Sequence, residues 1–195
     1  MTLVSPLQHV HKKGIFGDCE DNNAKNLIKI SEVKNLLIFQ IVQYKKSNIS
    51  LKDIKIDELN LNNEAPKVTF NNETRILWIS PNNWLLTSKK QELRANINQI
   101  FNETDFAITD LSHSRAVIEL EGENTKEVLK KGCPFNFNEL SKNACINSVF
   151  NGITITVDMI DDSPNKKRLY ALRSFGESLY HSITDACLEF GYKNI

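Results

Sequence analysis

The residues best suited to chemistry form one short polar run in the middle of the chain. It contains Asp110, Ser112, His113, Ser114 and Arg115. A hydroxyl, an imidazole and a carboxylate are the groups from which many enzymes build an activated nucleophile. Neighbouring side chains of an extended strand point to opposite faces, however, so Ser112 cannot easily pair with His113. We therefore assign no catalytic residue and predict that these side chains bond to backbone groups at a strand bend or contact a partner.

Two arginines at the ends of predicted strands form a second candidate site. Arg115 begins one predicted strand, and Arg173 ends another. A guanidinium can hold a carboxylate through two parallel hydrogen bonds, so this pair could bind an acidic ligand. We favour instead an ion pair within the chain or with another subunit. The candidate structural or partner-contact residues are therefore Asp110, Ser112, His113, Arg115 and Arg173.

The common motifs for cofactors and metals are absent from the sequence. It contains no GxxxxGK, no GxGxxG after a strand, no HExxH and no GxSxG, which are the frameworks for phosphate, dinucleotide, zinc and serine-nucleophile chemistry. Its cysteines, Cys19, Cys133, Cys145 and Cys187, lack the CxxC spacing of zinc or redox pairs. We interpret them as free thiols in a reducing compartment. We expect neither a cofactor site nor a metal site in this chain.

Composition argues against two classes of partner. The chain has 24 Lys and Arg residues against 24 Asp and Glu residues, so its formal net charge is zero. Nucleic-acid binding depends on clustered positive charge, and such a balance disfavours it. The longest apolar run, 36–42, is interrupted by Gln40 and is far shorter than the ~20 residues of a membrane span. With no apolar signal-peptide core at the N-terminus, we expect a cytoplasmic protein without nucleic-acid or membrane partners.

A strand and a helix must position the polar run. Ala116, Ile118 and Leu120 alternate with more polar residues, and this period of two predicts a half-buried strand directly after the run. Gly122 ends the strand. A short helix follows with Val128 and Leu129 on its buried side.

Similar patterns predict the other elements. Helices begin at Ser88 and Ser174, where Gln91 and Glu177 complete capping boxes. The last helix carries an apolar stripe at helical spacing that consists of Phe175, Leu179, Ile183, Cys187 and Phe190. The segment 50–59 is predicted as a helix, although its apolar residues also fit a strand. Predicted strands cover 27–33, 36–44, 67–70, 74–79, 84–87, 106–111, 153–160 and 167–173, with a tight turn at 34–35 joining the first two.

The order of these elements predicts an α+β fold. Strand, helix, hairpin and helix occur twice, which suggests two related ferredoxin-like lobes with antiparallel or mixed sheets and covering helices. Residues 1–26 are predicted to be an extended N-terminal arm. Residues 27–195 are predicted to form a single domain whose lobes span 27–111 and 112–195.

Five short motifs, in the same order along the chain, carry a resemblance to a known family. The sequence resembles the gamma subunit of heterotetrameric sarcosine oxidase, a family similar in fold to part of the folate-binding aminomethyltransferase of the glycine cleavage system. The motifs are Ser5–Leu7, Trp78 with Ser80–Leu86, Thr109–Arg115, Gly132–Pro134 and Arg173–Leu179.

The resemblance implies a subunit rather than a free-standing catalyst. The family's enzyme oxidises sarcosine to glycine with formation of hydrogen peroxide, and with tetrahydrofolate it yields methylenetetrahydrofolate. FAD, FMN, NAD and tetrahydrofolate are implied on the partner subunits. The gamma chain is implied to pack against the folate-binding region of the alpha subunit within an alpha-beta-gamma-delta complex.

Two alternatives remain open from the residues alone. One is a stand-alone folate-binding protein of the aminomethyltransferase type, which needs a pocket with a carboxylate for the pterin ring. The other is a scaffold or regulatory module unrelated to sarcosine. Co-purification with flavin-bearing chains distinguishes the subunit from both.

Overall fold

The computed structural model describes residues 4–19 and 27–195, and every element below lies within them. Chain contacts divide the protein into two units. We call the first the seven-stranded unit; it comprises Met1–Lys34, Ser114–Lys142 and Ile146–Ile195. We call the second the five-stranded unit; it comprises Asn35–His113 and Asn143–Cys145.

Strands and helices alternate along the chain as follows. The strands of the described residues are β1 (Gly14–Phe16), β2 (Ile28–Glu32), β3 (Leu37–Gln43), β4 (Lys55–Ile56), β5 (Leu59–Asn60), β6 (Val68–Phe70), β7 (Thr74–Ser80), β8 (Asn83–Ser88), β9 (Phe106–Asp110), β10 (Arg115–Glu121), β11 (Cys145–Phe150), β12 (Ile153–Asp162), β13 (Asn165–Leu172) and β14 (Tyr192–Asn194). The α-helices are α1 (Leu93–Ile100), α2 (Thr125–Gly132) and α3 (Gly176–Cys187). Short 3-10 turns cover Leu51–Asp53, Phe137–Glu139, Arg173–Phe175 and Leu188–Phe190.

The seven-stranded sheet has the strand order β1-β14-β2-β10-β13-β12-β11. β10 pairs antiparallel with both β2 and β13, whereas β14 runs parallel to β2. With the edge strand β11 set aside, the elements follow as β10-α2-β12-β13-α3-β14, and β13 lies between β10 and β12 in the sheet, which is the split β-α-β arrangement of ferredoxin-like folds. β2 is inserted between the first and last strands of that arrangement.

The core of this unit follows from the alternation predicted for β10. Ala116, Ile118 and Leu120 are fully buried, as are Val128 and Leu129 of α2. Each large apolar side chain that is buried this way stabilises the fold by ~1.5–3 kcal/mol. The predicted strand and the helix that follows it are therefore confirmed.

Helix α3 matches its predicted apolar stripe but not its predicted start. Leu179 and Ile183 are fully buried, whereas Phe175 is exposed. The N-cap is Phe175, and no side chain caps the helix. The predicted capping box of Ser174 and Glu177 is wrong because the chain enters α3 through the 3-10 turn Arg173–Phe175.

The five-stranded sheet has the order β6-β7-β8-β3-β9, and α1 covers its core. Trp84 is fully buried at the centre, and its Nε1 donates to the Asn62 carbonyl at 2.7 Å. The helix begins at Leu93 rather than Ser88. Ser88 instead pairs in β8, and its hydroxyl accepts a hydrogen bond from the Lys90 amide at 3.0 Å.

The segment 50–59 is not a helix. After the 3-10 turn it forms the two-stranded sheet β4-β5. Asp57 and Glu58, between the strands, have φ values of 50° and 66°, the left-handed region that tight hairpin turns require. Ile54 and Ile56 are both buried, so the period of two prevails over the helical pattern.

The described residues also divide differently from the predicted lobes and arm. β2 and β3 lie in different sheets, so residues 34–35 do not form a hairpin turn, and 27–34 belong to the seven-stranded unit. β1 pairs with β14, and Leu7 is fully buried, so residues 4–19 are not an extended arm. The α+β prediction is confirmed. In the described part of the chain, helices are too short or too polar to span a membrane.

Candidate functional site

The predicted polar run is divided between the two units. Asp110, Ser112 and His113 belong to the five-stranded unit, whereas Arg115 and Arg173 belong to the seven-stranded unit. The polar run therefore contributes one group of side chains to each unit.

The first group lies where β9 ends. The Ser112 amide donates to Asp110 Oδ1 at 2.9 Å, closing a turn after the strand. The Arg94 guanidinium of α1 forms an ion pair with Asp110 Oδ2 and donates to Ser112 Oγ at 3.3 Å. The Ile38 amide also donates to Ser112 Oγ, at 3.0 Å. The Ser112 hydroxyl thus accepts hydrogen bonds from a backbone amide of β3 and from a guanidinium, and neither of these donors can act as a catalytic base.

Electrostatics hold the Asp110 carboxyl in its ionised form. Partial burial raises the pKa of Asp110, but the hydrogen bonds from Ser112 and the charge of Arg94 outweigh it and lower the pKa below its usual value. Because both partners are partly exposed, the ion pair contributes at most ~1 kcal/mol to stability. The Arg94 guanidinium also lies 6.0 Å from the centre of the Phe39 ring. These contacts show that the Asp110 carboxylate stabilises the turn after β9.

His113 is exposed. Within residues 4–19 and 27–195, its ring forms no hydrogen bond with Ser112 or Asp110. A serine nucleophile needs an imidazole within ~2.6–3.2 Å of its hydroxyl. The structure therefore does not bring these three residues together as a triad.

The second group lies where β10 begins and β13 ends. Arg115 is the cross-strand neighbour of Leu172, and the Arg173 amide donates to the Ser114 carbonyl at 2.9 Å. Arg115 Nη1 donates to the carbonyl and the hydroxyl of Ser114, both at 3.3 Å. The Arg173 guanidinium donates to the Val4 carbonyl. In the part of the chain that the structure describes, neither arginine pairs with a carboxylate, so the ion pair within the chain is not formed there.

Arg115 is a partly desolvated cation. It is half-buried, and burial lowers the pKa of Arg115 from its ordinary value. An arginine remains charged at neutral pH even so. Its charge is compensated only by the polar atoms of Ser114 among the described groups, which leaves capacity for an anionic partner.

An open depression of about 690 Å³ lies beside Arg173 in the seven-stranded unit. Hydroxyl groups dominate its polar lining, and Glu177 is the acidic side chain among them. Val4, Leu172 and Phe175 are large apolar residues of the same segments that remain exposed. The full lining consists of Ser5, Pro6, Ser114, Leu172, Arg173, Ser174, Glu177 and Ser178.

Sequence reasoning missed one buried polar cluster in the five-stranded unit. Asp57 Oδ2 accepts hydrogen bonds from Thr74 Oγ1 at 2.6 Å and from Asn71 Nδ2 at 2.9 Å, and Lys90 forms an ion pair with its other oxygen. The Thr74 and Ser88 hydroxyls, both fully buried, lie 2.8 Å apart. Burial raises the pKa of Asp57, but these donors outweigh it and lower the pKa. The cluster fastens the β4-β5 turn onto β7 and β8.

The signal for this cluster was present in the sequence but misread. Thr74 begins a predicted strand, whereas Ser88, directly after another predicted strand, was assigned to a helix start; hydroxyls buried at strand ends need a partner. Their partner, Asp57, lies in the segment predicted as a helix. Across the described residues, no three His, Cys, Asp or Glu side chains lie close enough together to hold a metal ion.

Comparisons of the sequence with known proteins find similarity to the gamma subunit of sarcosine oxidase. The model of the sarcosine oxidase, gamma subunit family matches residues 58–189, about two thirds of the chain. Sarcosine oxidase subunit gamma from Corynebacterium sp. (strain U-96) is 28% identical over 120 residues. That match covers 60% of this chain and 58% of the relative, less than two thirds of the relative's length.

Solved structures share the fold. A chain of the heterotetrameric sarcosine oxidase from Corynebacterium sp. U-96, in complex with pyrrole 2-carboxylate, superposes with a TM-score of 0.79 at 20% identity, covering 96% of this chain and 95% of that one. Aminomethyltransferase T of the glycine cleavage system from Bartonella henselae superposes with a TM-score of 0.66 at 9% identity, covering 93% and 57%. At these identities the similarity establishes the fold alone.

Proposed function

Because this chain belongs to the sarcosine oxidase gamma subunit family, we propose that it is the non-catalytic gamma subunit of a heterotetrameric sarcosine oxidase. The observation that carries the proposal is the family match over residues 58–189. The superposition on a chain of such a complex along nearly its whole length agrees with it.

In this proposal the chemistry takes place on the partner subunits. They hold FAD, FMN, NAD and tetrahydrofolate, oxidise sarcosine to glycine with formation of hydrogen peroxide, and form methylenetetrahydrofolate. The chain described here packs against the folate-binding region of the alpha subunit in an alpha-beta-gamma-delta complex. Its contribution is structural: it stabilises the assembly of the other subunits.

The condition of the reactive groups supports a role without catalysis. The Ser112 hydroxyl and the Asp110 carboxylate are bonded into a turn. Burial raises the pKa of Cys133 to about 11 and that of Cys187 to about 12. Thiols with such pKa values stay protonated at neutral pH and are poor nucleophiles.

The test is to express the chain alone and together with the large subunits of the same host. We expect the isolated chain to be colourless and without sarcosine-dependent peroxide formation. We expect the co-expressed chain to purify with flavin-containing subunits that oxidise sarcosine. Sarcosine oxidation by the isolated chain, or purification without any flavin-bearing chain, would contradict the proposal.

Titration of the isolated chain with tetrahydrofolate separates the subunit from a stand-alone folate-binding protein. We expect no saturable binding by calorimetry. A monomer that binds tetrahydrofolate with micromolar affinity would favour the folate-binding alternative instead.

A further inference from the structure

We infer that the exposed surface formed by Val4, Leu172, Arg173 and Phe175 docks a segment of the alpha subunit that carries a carboxylate beside apolar side chains. We call it the Arg173 surface. The inference rests on the proposed function, because it names the surface through which the gamma subunit meets its partner. Each residue of the surface belongs to the seven-stranded unit.

The apolar part of the Arg173 surface is exposed to solvent. Val4 is 55% exposed, and Leu172 and Phe175 are each 46% exposed. Leu172 ends β13, and Phe175 ends the 3-10 turn that follows it directly. Val4 is held to this turn through the hydrogen bond from Arg173 to its carbonyl. Clustered apolar exposure of this kind is typical of protein interfaces rather than of solvated surfaces.

The charges define what the partner must carry. Arg173 lies within the surface, and Arg115 is the cross-strand neighbour of Leu172 at its edge. Neither guanidinium pairs with a carboxylate in residues 4–19 and 27–195. Arg173 and Glu177 are the charged residues that line the adjoining depression. A carboxylate from a partner would compensate the two guanidinium groups, and their planar geometry suits it.

The shape of the site favours a protein segment over a small molecule. The depression is open to solvent, whereas pockets for small ligands enclose most of the ligand surface. Its volume of about 690 Å³ accommodates protruding side chains. The hydroxyls of Ser174 and Ser178 in its lining can donate to a carboxylate.

The same charges disfavour a second copy of this chain as the occupant. In a twofold dimer a surface patch meets itself. Two patches that each carry Arg173 and Arg115 would then meet, and bringing these like charges together is destabilising. Because the proposed function packs this chain against the alpha subunit, we assign the alpha subunit as the occupant of the surface.

Competition during assembly tests the inference. Wild-type and variant gamma chains are co-expressed in equal amounts with the other subunits, and mass spectrometry of the purified complex gives their ratio. We expect Leu172→Ser with Phe175→Ser, and separately Arg173→Glu, to be incorporated at least tenfold less than the wild type. Urea midpoints of the isolated chains establish that each variant is folded.

The matched control replaces equally exposed residues elsewhere. Leu188 and Phe70 are each 44% exposed, so Leu188→Ser with Phe70→Ser removes the same side-chain types. We expect this control to be incorporated like the wild type. If the Leu172 and Phe175 double variant is unfolded, Arg173→Glu decides the question alone.

The outcomes separate this inference from the proposed function. If the wild type assembles and the Arg173 surface variants are incorporated equally well, or the control is lost to the same degree, the inference is wrong and the proposed function stands. If the wild type does not assemble with flavin-bearing subunits, both are wrong.

Discussion

A lysine buried in the sheet provides the sharpest test of the energetics. Lys167 of β13 is fully buried, with Leu120 and Met159 as its cross-strand neighbours on the core face of the sheet. Its ammonium donates to the Asp161 carbonyl at 3.2 Å and to Asn165 Oδ1 at 3.4 Å. Burial lowers the pKa of Lys167 from 10.5 to about 8. Replacing it by methionine, an unbranched chain of similar length, removes the charge and keeps the packing.

The sign of the effect follows from proton binding. Between pH 8 and 10.5 the unfolded chain keeps this proton, whereas the folded chain has lost it. The free energy of unfolding therefore rises with pH across this window. At ~1.4 kcal/mol for each pH unit of pKa difference, Lys167 destabilises the wild type below pH 8 by about 3 kcal/mol relative to pH 10.5. The Lys167→Met variant should lack this component.

Urea unfolding of the full chain from pH 7 to pH 10.5 measures the difference between wild type and variant. We expect that difference to shrink by about 3 kcal/mol toward high pH. Tyr180, whose pKa is raised to about 12 by burial, acts in the opposite direction, but it is present in both proteins and cancels. Lys166→Met is the control: the hydrogen bond to Glu121 raises the pKa of Lys166 above its ordinary value of 10.5, so its stabilising contribution is present throughout this pH range and its curve should stay parallel to that of the wild type. Parallel curves for wild type and Lys167→Met would refute the reasoning.

The remaining predictions concern stability. Ser112→Ala removes the acceptor of a β3 amide and should lower the free energy of unfolding by about 1–2 kcal/mol in urea titrations; reduced turnover per assembled complex would instead indicate a chemical role. Gly132→Ala places a Cβ 2.8 Å from the Phe150 ring, so we expect a loss of about 1–3 kcal/mol by the same measurement. At Gly152, with φ of +84°, a Cβ meets no atom within 4 Å, so Gly152→Ala should cost only backbone strain of about 1 kcal/mol; an equal loss at both glycines would contradict the packing argument. Glu119→Gln removes a carboxylate that pairs with a partly buried arginine of β13 and should lower Tm by several degrees, a shift of the size that ~1–3 kcal/mol produces; an unchanged Tm would show that the pair adds nothing.

Local patterns predicted the elements whose burial repeats along the chain. Alternating apolar residues located β2 and β10, and a stripe at helical spacing located α3 through Leu179 and Ile183. Each of these patterns reflects one buried face, which the residue types alone reveal. The same reasoning could not assign β2 to its sheet, since β2 pairs with β10 far along the chain.

Short polar motifs were a weaker guide because tertiary contacts compete for the same groups. Ser88 and Ser174 both carry the capping-box pattern, but neither caps a helix. Ser88 pairs with Thr74 in the sheet, and Ser174 lies in the 3-10 turn that precedes α3. In 50–59 the left-handed turn at Asp57 is stabilised by Thr74, 17 positions away. No local window contains that partner.

In the candidate site, too, the sequence indicated the polar residues but not the residues that contact them. The sequence identified Asp110, Ser112 and Arg173 as residues of interest. It could not identify Arg94, which lies 16 positions before Asp110 on a helix, or Val4, which lies 169 positions from Arg173. Side-chain types locate a polar site, but long-range packing determines which atoms are already satisfied.

The polar groups of the candidate site differ in whether a hydrogen-bond or charge partner is already present in the described residues. The hydroxyl of Ser112 and the carboxylate of Asp110 have their hydrogen bonds supplied by the backbone and by Arg94, so they have little capacity to accept a substrate proton. Arg115 and Arg173, by contrast, lack a carboxylate among the described residues and lie beside exposed apolar side chains. Cations in such a setting attract and orient a partner but supply neither a nucleophile nor a base. Uncompensated cations of this kind fit the assembly role that we propose for the chain.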